Sequence, residues 1–127
     1  MTDIHLTIRA LTSLNISANS IPADEMKKII AIAESMPTMK TLCEVPFKDK
    51  TITELDLSGK NLSADGAIVV SHYIRDNGAM KKLTISGDDA DSEPVTIETS
   101  MTEADFSGKY LQASGAIMLA AFLPKCQ

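Results

Sequence analysis

Aromatic residues are scarce in this sequence, which has no tryptophan and an aromatic share of 4% in 127 residues. A pocket lined with rings is therefore not expected, and the core has to be built from aliphatic residues and methionine. Cysteine is scarce too, because Cys43 and Cys126 cannot supply a disulfide framework for a chain of this length. We expect both thiols to be reduced, as they are in the cytoplasm.

Long apolar runs and a positive net charge are also missing. The longest run, Ala116–Leu123, falls far short of the roughly 20 residues that a membrane-spanning helix needs, and the first residues do not resemble a signal peptide. The net charge of −5 disfavours binding to nucleic-acid phosphates and favours a basic or neutral protein partner. We therefore expect a cytoplasmic protein with neither a membrane nor a nucleic-acid partner.

Signatures of catalysis are missing as well. No phosphate-binding loop, GxSxG or HExxH motif occurs, and no local pattern brings His5 or His72 to a cysteine. Asp89, Asp91 and Glu93 alternate as calcium ligands do, but their segment lacks the glycine and the late glutamate of an EF-hand. The sequence therefore predicts no catalytic residue, no cofactor and no metal site.

An internal repeat is the strongest positive feature. Ile52–Ile74 and Met101–Leu123 align without a gap at an offset of 49 residues, and 11 of their 23 positions are identical. The front half of each copy alternates apolar and polar residues, which predicts a strand with one buried face. The back half has the spacing of a helix with one apolar face. One strand–helix unit is therefore used twice.

A diverged unit precedes the two copies. Leu11–Ile21 predicts a strand running into a turn, and Pro22 marks the start of a helix that Pro37 stops. Met39–Cys43 and Met80–Ile85 predict two further strands, each placed after a helix. This alternation predicts an α/β fold with a mainly parallel sheet backed by helices.

Two segments interrupt the alternation. Val45–Asp49 leaves too few residues for a helical crossover, which needs about a dozen. Val95 and Ile97 alternate with polar neighbours in a segment that is otherwise rich in acidic residues and serine. Each place predicts a short antiparallel strand insertion, with turns at Lys48–Lys50 and near Thr99–Ser100.

The repeat resembles a known family. Leu11–Ile21, with Leu14, Ile16 and Asn19 at the spaced positions, resembles the leucine-rich-repeat consensus LxxLxLxxNxL, and Ile52–Leu62 is similar. The helix lengths resemble those of the ribonuclease-inhibitor subclass. The resemblance implies one domain, 1–127, built as a short solenoid in units of about 4–38, 39–79 and 80–127. It also implies protein binding through the exposed strand face, without catalysis.

The turn departs from the family pattern. In leucine-rich repeats an asparagine at the turn bonds neighbouring backbone and forms a ladder. Asn19 matches that place, whereas Lys60, Asp88 and Lys109 occupy the equivalent places.

The outward positions of the predicted strands form the candidate binding face. If the strands are neighbours in chain order, Lys82 lies between Glu54 and Glu103, and the next row places Thr84 between two aspartates. Such an acidic patch, rich in hydroxyl groups, fits a basic protein, although a merely solvated face is the alternative. The candidate partner-binding residues are Asn15, Glu54, Asp56, Lys82, Thr84, Glu103 and Asp105.

The helix Ala113–Leu123 is apolar nearly all round, so we expect it to be covered on every side. No polar capping repeat follows it, which favours a self-associating chain or a fragment of a longer solenoid. The residues of this possible association face are Ile68, Val69, Ile117 and Met118.

The favoured function is a noncatalytic module that binds another protein through its strand face. The alternative is a structural segment of a homo-oligomer or of a longer solenoid. An enzyme of unknown class is the least favoured reading.

Overall fold

The computed structural model describes residues 11–60, 62–87 and 92–127, which form a small α/β domain, so the predicted class is confirmed. No helix within these ranges is long and apolar enough to cross a bilayer. In chain order the elements are β1 (Ser13–Leu14), α1 (Ala23–Ser35), β2 (Thr41–Leu42), β3 (Glu54–Asp56), α2 (Ser63–Asp76), β4 (Lys82–Ile85), β5 (Val95–Glu98), α3 (Gln112–Phe122) and a final 3-10 turn, Leu123–Cys126.

The strands form two separate sheets. β1 pairs with β2 in parallel, and β3 pairs with β4 in parallel, with Glu54 opposite Lys82. β5 then pairs with β4 in the antiparallel sense, which confirms the insertion predicted around Val95. The insertion predicted at Val45 is reduced to a single antiparallel bridge with Leu42.

The prediction of one mainly parallel sheet is wrong for the described residues. Met101–Phe106, the expected strand of the second copy, lies outside both sheets. The reason is that β5 occupies the edge of β4 at which this segment would have paired. A strand exists only where its backbone groups have a partner, so the part of the chain that the structure describes forms no continuous solenoid sheet.

The core is built around α2, which packs against both α1 and α3. The buried face predicted for Gly66–Ile74 is confirmed, because Ala67, Val70, Tyr73 and Ile74 have no exposed area. The strands complete the core with apolar side chains from one face only, which leaves the polar side chains of the other face outside. The buried strand residues are Leu42, Leu55, Leu83, Ile85, Val95 and Ile97.

Proline and asparagine mark the helix ends. α1 begins directly after Pro22 and ends just before Pro37, as predicted. α2 ends before Asn77, and the following Gly78 does not have the left-handed backbone that commonly ends a helix. The fully buried Asn77 side chain instead donates to the Ile52 carbonyl at 2.8 Å and accepts from the Ala79 N–H at 2.9 Å.

The same turn occurs once in each unit. Ala18, Gly59 and Gly108 occupy the equivalent place and have left-handed backbone, with φ of 63°, 74° and 71°. Glycine adopts this conformation most easily. Asn15, Asp56 and Asp105 lie three residues before these left-handed positions. The side-chain oxygen of each accepts a hydrogen bond of 2.9 to 3.1 Å from the backbone N–H of the second residue after it. The repeat therefore extends to local geometry.

Candidate functional site: the polar face of the three-stranded sheet

A row of charged residues crosses the sheet formed by β3, β4 and β5. Lys82 stands between Glu54 on β3 and Glu98 on β5. All three are at least partly exposed, while Leu55 and Leu83 next to them are buried on the opposite face. Lys82 was predicted between Glu54 and a glutamate of the second copy, and the structure replaces that glutamate with Glu98.

A second row runs parallel to the first. Thr84 on β4 stands between Asp56 on β3 and Thr96 on β5, and the two threonine hydroxyls lie 2.9 Å apart. Thr84 and Asp56 were predicted in this row, whereas Thr96 was not, because the register of an antiparallel insertion depends on its pairing.

The two rows line open depressions in the surface. The larger depression, of about 530 Å³, lies at the end of the sheet where β5 terminates. The smaller one, of about 230 Å³, lies over β3 and β4. Their linings mix both signs of charge with hydroxyl groups. Enclosed and mostly apolar cavities are typical of small-molecule sites, so these depressions fit a protein surface better. The lining residues of the larger one are Thr53, Glu54, Lys81, Lys82, Glu98, Thr99 and Ser100.

Three candidate binding residues also hold their own turns. The backbone N–H of Ser58 holds the pKa of Asp56 below its ordinary value, and the hydroxyl of Ser107, at 2.6 Å, does the same for the pKa of Asp105. Both carboxylates are therefore ionised at neutral pH. Asn15 makes the equivalent turn in the first unit, beyond the end of β1 in the separate two-stranded sheet.

Glu103 and Asp105 do not join the rows. Both are exposed on Met101–Phe106, the segment that forms no strand. Glu103 instead shares an open cleft of about 370 Å³ with Glu98, beside the turn Leu123–Cys126. The prediction that these two residues complete the sheet face is wrong, because β5 supplies the third strand.

Asp65, in the first turn of α2, was not singled out from the sequence. It is 1% exposed, and its carboxylate accepts four backbone hydrogen bonds of 2.8 to 3.2 Å. Burial works against ionisation, but the four N–H donors outweigh it and lower the pKa of Asp65. The donors are Ala18, Asn19, Ile21 and Gly66. Asp65 thus fastens the first unit's turn to the second unit's helix. Only the position of an acid near a helix start is visible in the sequence.

The predicted association face is largely internal. Val69 and Met118 are 2% and 1% exposed, so neither is available to a second chain as part of an association face. Ile68 and Ile117 are partly buried against the core. The reason is that α2 and α3 pack against each other. In the described ranges the exposed large apolar side chains are Leu11, Ile32, Met101, Tyr110 and Leu123.

The reactive groups among the described residues do not form a catalytic pair, and His5 lies outside these residues. Burial raises the pKa of the Cys43 thiol, which disfavours the nucleophilic thiolate, and His72 contacts two carboxylates. Of the acidic segment considered for calcium, residues 88–91 lie outside the described residues, while Glu93 pairs with Lys109 at 2.7 Å.

The chemistry that the polar face offers is charge pairing and hydroxyl hydrogen bonding on an open surface. Comparisons of the chain with protein-family models, with curated proteins and with solved structures find no match in any of the three.

Proposed function

We propose that this chain is a noncatalytic, cytoplasmic interaction module, built from leucine-rich-repeat-like units, that binds a basic protein through the polar face of its three-stranded sheet. The observation that carries the proposal is the pair of rows on that face, which hold three carboxylates, those of Glu54, Asp56 and Glu98, against one central ammonium group, that of Lys82. Lys81, which also lines the larger depression, offsets part of this charge, and a basic partner relieves the remaining surplus. The module needs no cofactor for this role.

The repeated turns support the leucine-rich-repeat-like reading. Three turns with left-handed backbone at the equivalent position and with the same side-chain hydrogen bond support a chain of three related units. In a repeat architecture each unit contacts its neighbours, and the helices here pack in that way, with α2 against α1 and α3. Catalysis is not part of the proposal because the face carries no activated nucleophile.

A charge-reversal comparison tests the proposal. The double variant Glu54→Lys plus Glu98→Lys reverses the outer members of the charged row. Its matched control, Asp24→Lys plus Glu25→Lys, makes the same net charge change at exposed positions of α1. Immobilised chain and quantitative mass spectrometry of captured proteins give the readout, and we expect roughly tenfold weaker capture of basic proteins by the sheet variant alone.

Folding is monitored in parallel by circular dichroism and thermal unfolding. Because the sheet variant creates three adjacent lysines, the milder Glu54→Gln plus Glu98→Gln variant serves as a second test. Equal capture by wild type, both sheet variants and the control would contradict sheet-face binding.

Self-association is the second candidate function, and a different observation favours it. The exposed large apolar side chains fall in the first and third units, and an apolar cleft of about 220 Å³ lies over α1, lined by residues such as Leu14, Ile29 and Ile32. Stacking of one copy's third unit on another copy's first unit would cover both ends. Sedimentation of wild type, Ile32→Lys and Leu123→Lys tests this. We expect oligomers that each variant disperses, and a wild-type monomer at all concentrations would contradict it.

A further inference from the structure

Three potential metal ligands meet where α1 and α2 come together. His72 and Asp76 lie four residues apart on α2, which places them on the same helix face. Glu34 reaches them from the last turn of α1. The Nε2 atom of His72 lies 3.3 Å from the Oε2 atom of Glu34 and 3.4 Å from the Oδ2 atom of Asp76. All three ligand atoms lie within 4.8 Å of one another.

The two distances from His72 match those between ligand atoms of a tetrahedral metal site. Two ligand atoms that are each about 2.0 to 2.1 Å from a tetrahedral Zn²⁺ ion are about 3.3 Å apart. The distances from His72 to Glu34 and to Asp76 therefore already have the length that a shared metal ion imposes. All three side chains are partly exposed, so an ion can enter from solvent without unfolding the helices.

We propose that Glu34, His72 and Asp76 bind Zn²⁺ or a similar divalent transition metal ion, with water in the fourth position, and thereby join α1 to α2. One imidazole with two carboxylates is a donor set that suits these metals. Mg²⁺ is a poorer fit, because it prefers oxygen ligands in an octahedral arrangement. The sequence shows only the His72–Asp76 spacing, since Glu34 joins through tertiary packing.

Lys50 lies close enough to compete with a bound metal ion, which provides a further test of the proposal. Its ammonium group lies 3.6 Å from Oδ2 of Asp76 and 5.4 Å from the centre of the Tyr73 ring. A fixed positive charge at this distance repels an incoming cation. Removing it by Lys50→Met should therefore strengthen metal binding several-fold. If the three side chains formed only an ion-pair cluster, this substitution would not create affinity for a metal.

Titration of the full chain with ZnCl₂, followed by calorimetry, tests the site, and CoCl₂ titration gives a second signal. We expect one equivalent of metal and the intense visible bands of four-coordinate Co²⁺. His72→Ala and Glu34→Gln should each weaken binding by roughly tenfold or more. The matched control is His5→Ala, which removes the other histidine of the chain and should leave the affinity unchanged.

The thiols are tested separately, because Zn²⁺ also binds cysteine. Cys126→Ser, measured under reducing conditions, should retain the wild-type affinity. Thermal unfolding adds an independent measurement, since an ion that binds only the folded state raises Tm, and this rise should vanish in His72→Ala. The proposal is overturned if wild type binds neither metal, or if His72→Ala and Glu34→Gln bind Zn²⁺ as tightly as wild type.

Discussion

Ile52–Ile74 and Met101–Leu123 are near copies in sequence, yet only the first contributes a strand. Both end in helices that pack together, and both form the same turn. The equivalent apolar residues before the turn differ in how deeply they are buried. Leu57 is 2% exposed, whereas the equivalent Phe106 is only partly buried beside the core.

Pairing explains this difference. In the first two units the strand pairs in parallel with a strand 28 residues later, Ser13 with Thr41 and Glu54 with Lys82. No strand follows α3 in the described residues, and β5 covers the outer edge of β4. The same alternation of side chains thus produces a strand in one place and none in the other. An alternating pattern indicates that a segment can form a strand, but the segment forms one only where a neighbouring strand has an unpaired edge.

The largest difference is expected when the equivalent apolar residues are truncated. Leu57→Ala removes a buried side chain and should lower the free energy of unfolding by about 3 kcal/mol. Phe106→Ala should cost about half as much, because Phe106 is only partly buried. Urea unfolding measures both. Equal losses would mean that Met101–Phe106 is packed as tightly as β3.

The attachments of the two helices should also differ. Asp65 and Ser114 occupy equivalent positions, but Asp65 accepts four hydrogen bonds, whereas the buried Ser114 hydroxyl has no partner among the described residues. Asp65→Asn should cost about 2 to 3 kcal/mol, since it leaves buried N–H donors without a carboxylate. Ser114→Ala is the matched control and should be nearly neutral. A similar loss in both variants would sink this account.

The contribution of Asp65 should depend on pH. Its pKa is lowered in the folded state, so its stabilisation is fully present above its unfolded pKa of about 3.9 and is lost as the pH falls through the lower folded value. The stability gap between wild type and Asp65→Asn should therefore be constant near neutral pH and shrink below about pH 4. Other carboxylates titrate in both proteins and cancel in the difference. A gap that widens in acid would contradict the assignment.

Gly87 tests how the turn at Tyr110 packs against the end of β4. A Cβ atom on Gly87 would lie 2.1 Å from the Tyr110 carbonyl oxygen, a backbone atom that cannot rotate away. Gly87→Ala should therefore lower the free energy of unfolding by about 2 kcal/mol. Gly78→Ala is the matched control, because a Cβ atom there meets nothing within 4 Å. Thermal unfolding that shows no difference between the two variants would mean that the turn at Tyr110 is not packed against Gly87.

Adding a partner strand for Met101–Phe106 tests the pairing explanation most directly, although we expect it to have the smallest effect on stability. An extension with the sequence Ala-Met-Lys-Lys-Leu-Thr-Ile after Gln127 copies residues 79–85 and places its second lysine 28 residues after Glu103, the spacing found in the other units. Hydrogen exchange at residues 103–105 should slow roughly tenfold, equivalent to about 1.4 kcal/mol of local stability. A Gly/Ser extension of equal length is the control, and equal exchange in both chains would refute the pairing explanation.

Several features were readable from single residues. Pro22 and Pro37 bracket α1, and the alternation at Val95 and Ile97 predicted β5. Each of these signals acts over a few neighbouring residues. The candidate site was only partly readable: Glu54, Asp56, Lys82 and Thr84 share one sheet face, as predicted, but Glu98 and Thr96 replace the residues expected from the second copy.

The repeat, the turns and the α/β class follow from the amino-acid sequence alone, because periodicity and turn chemistry are local properties. The packing of the folded chain, in contrast, sets which strand edge is available, buries Asp65 under the first unit's turn and brings Glu34 to His72. Each of these features depends on groups that are far apart in the chain. The local pattern allows several arrangements, and the chain adopts the one in which the available backbone partners and buried positions are filled.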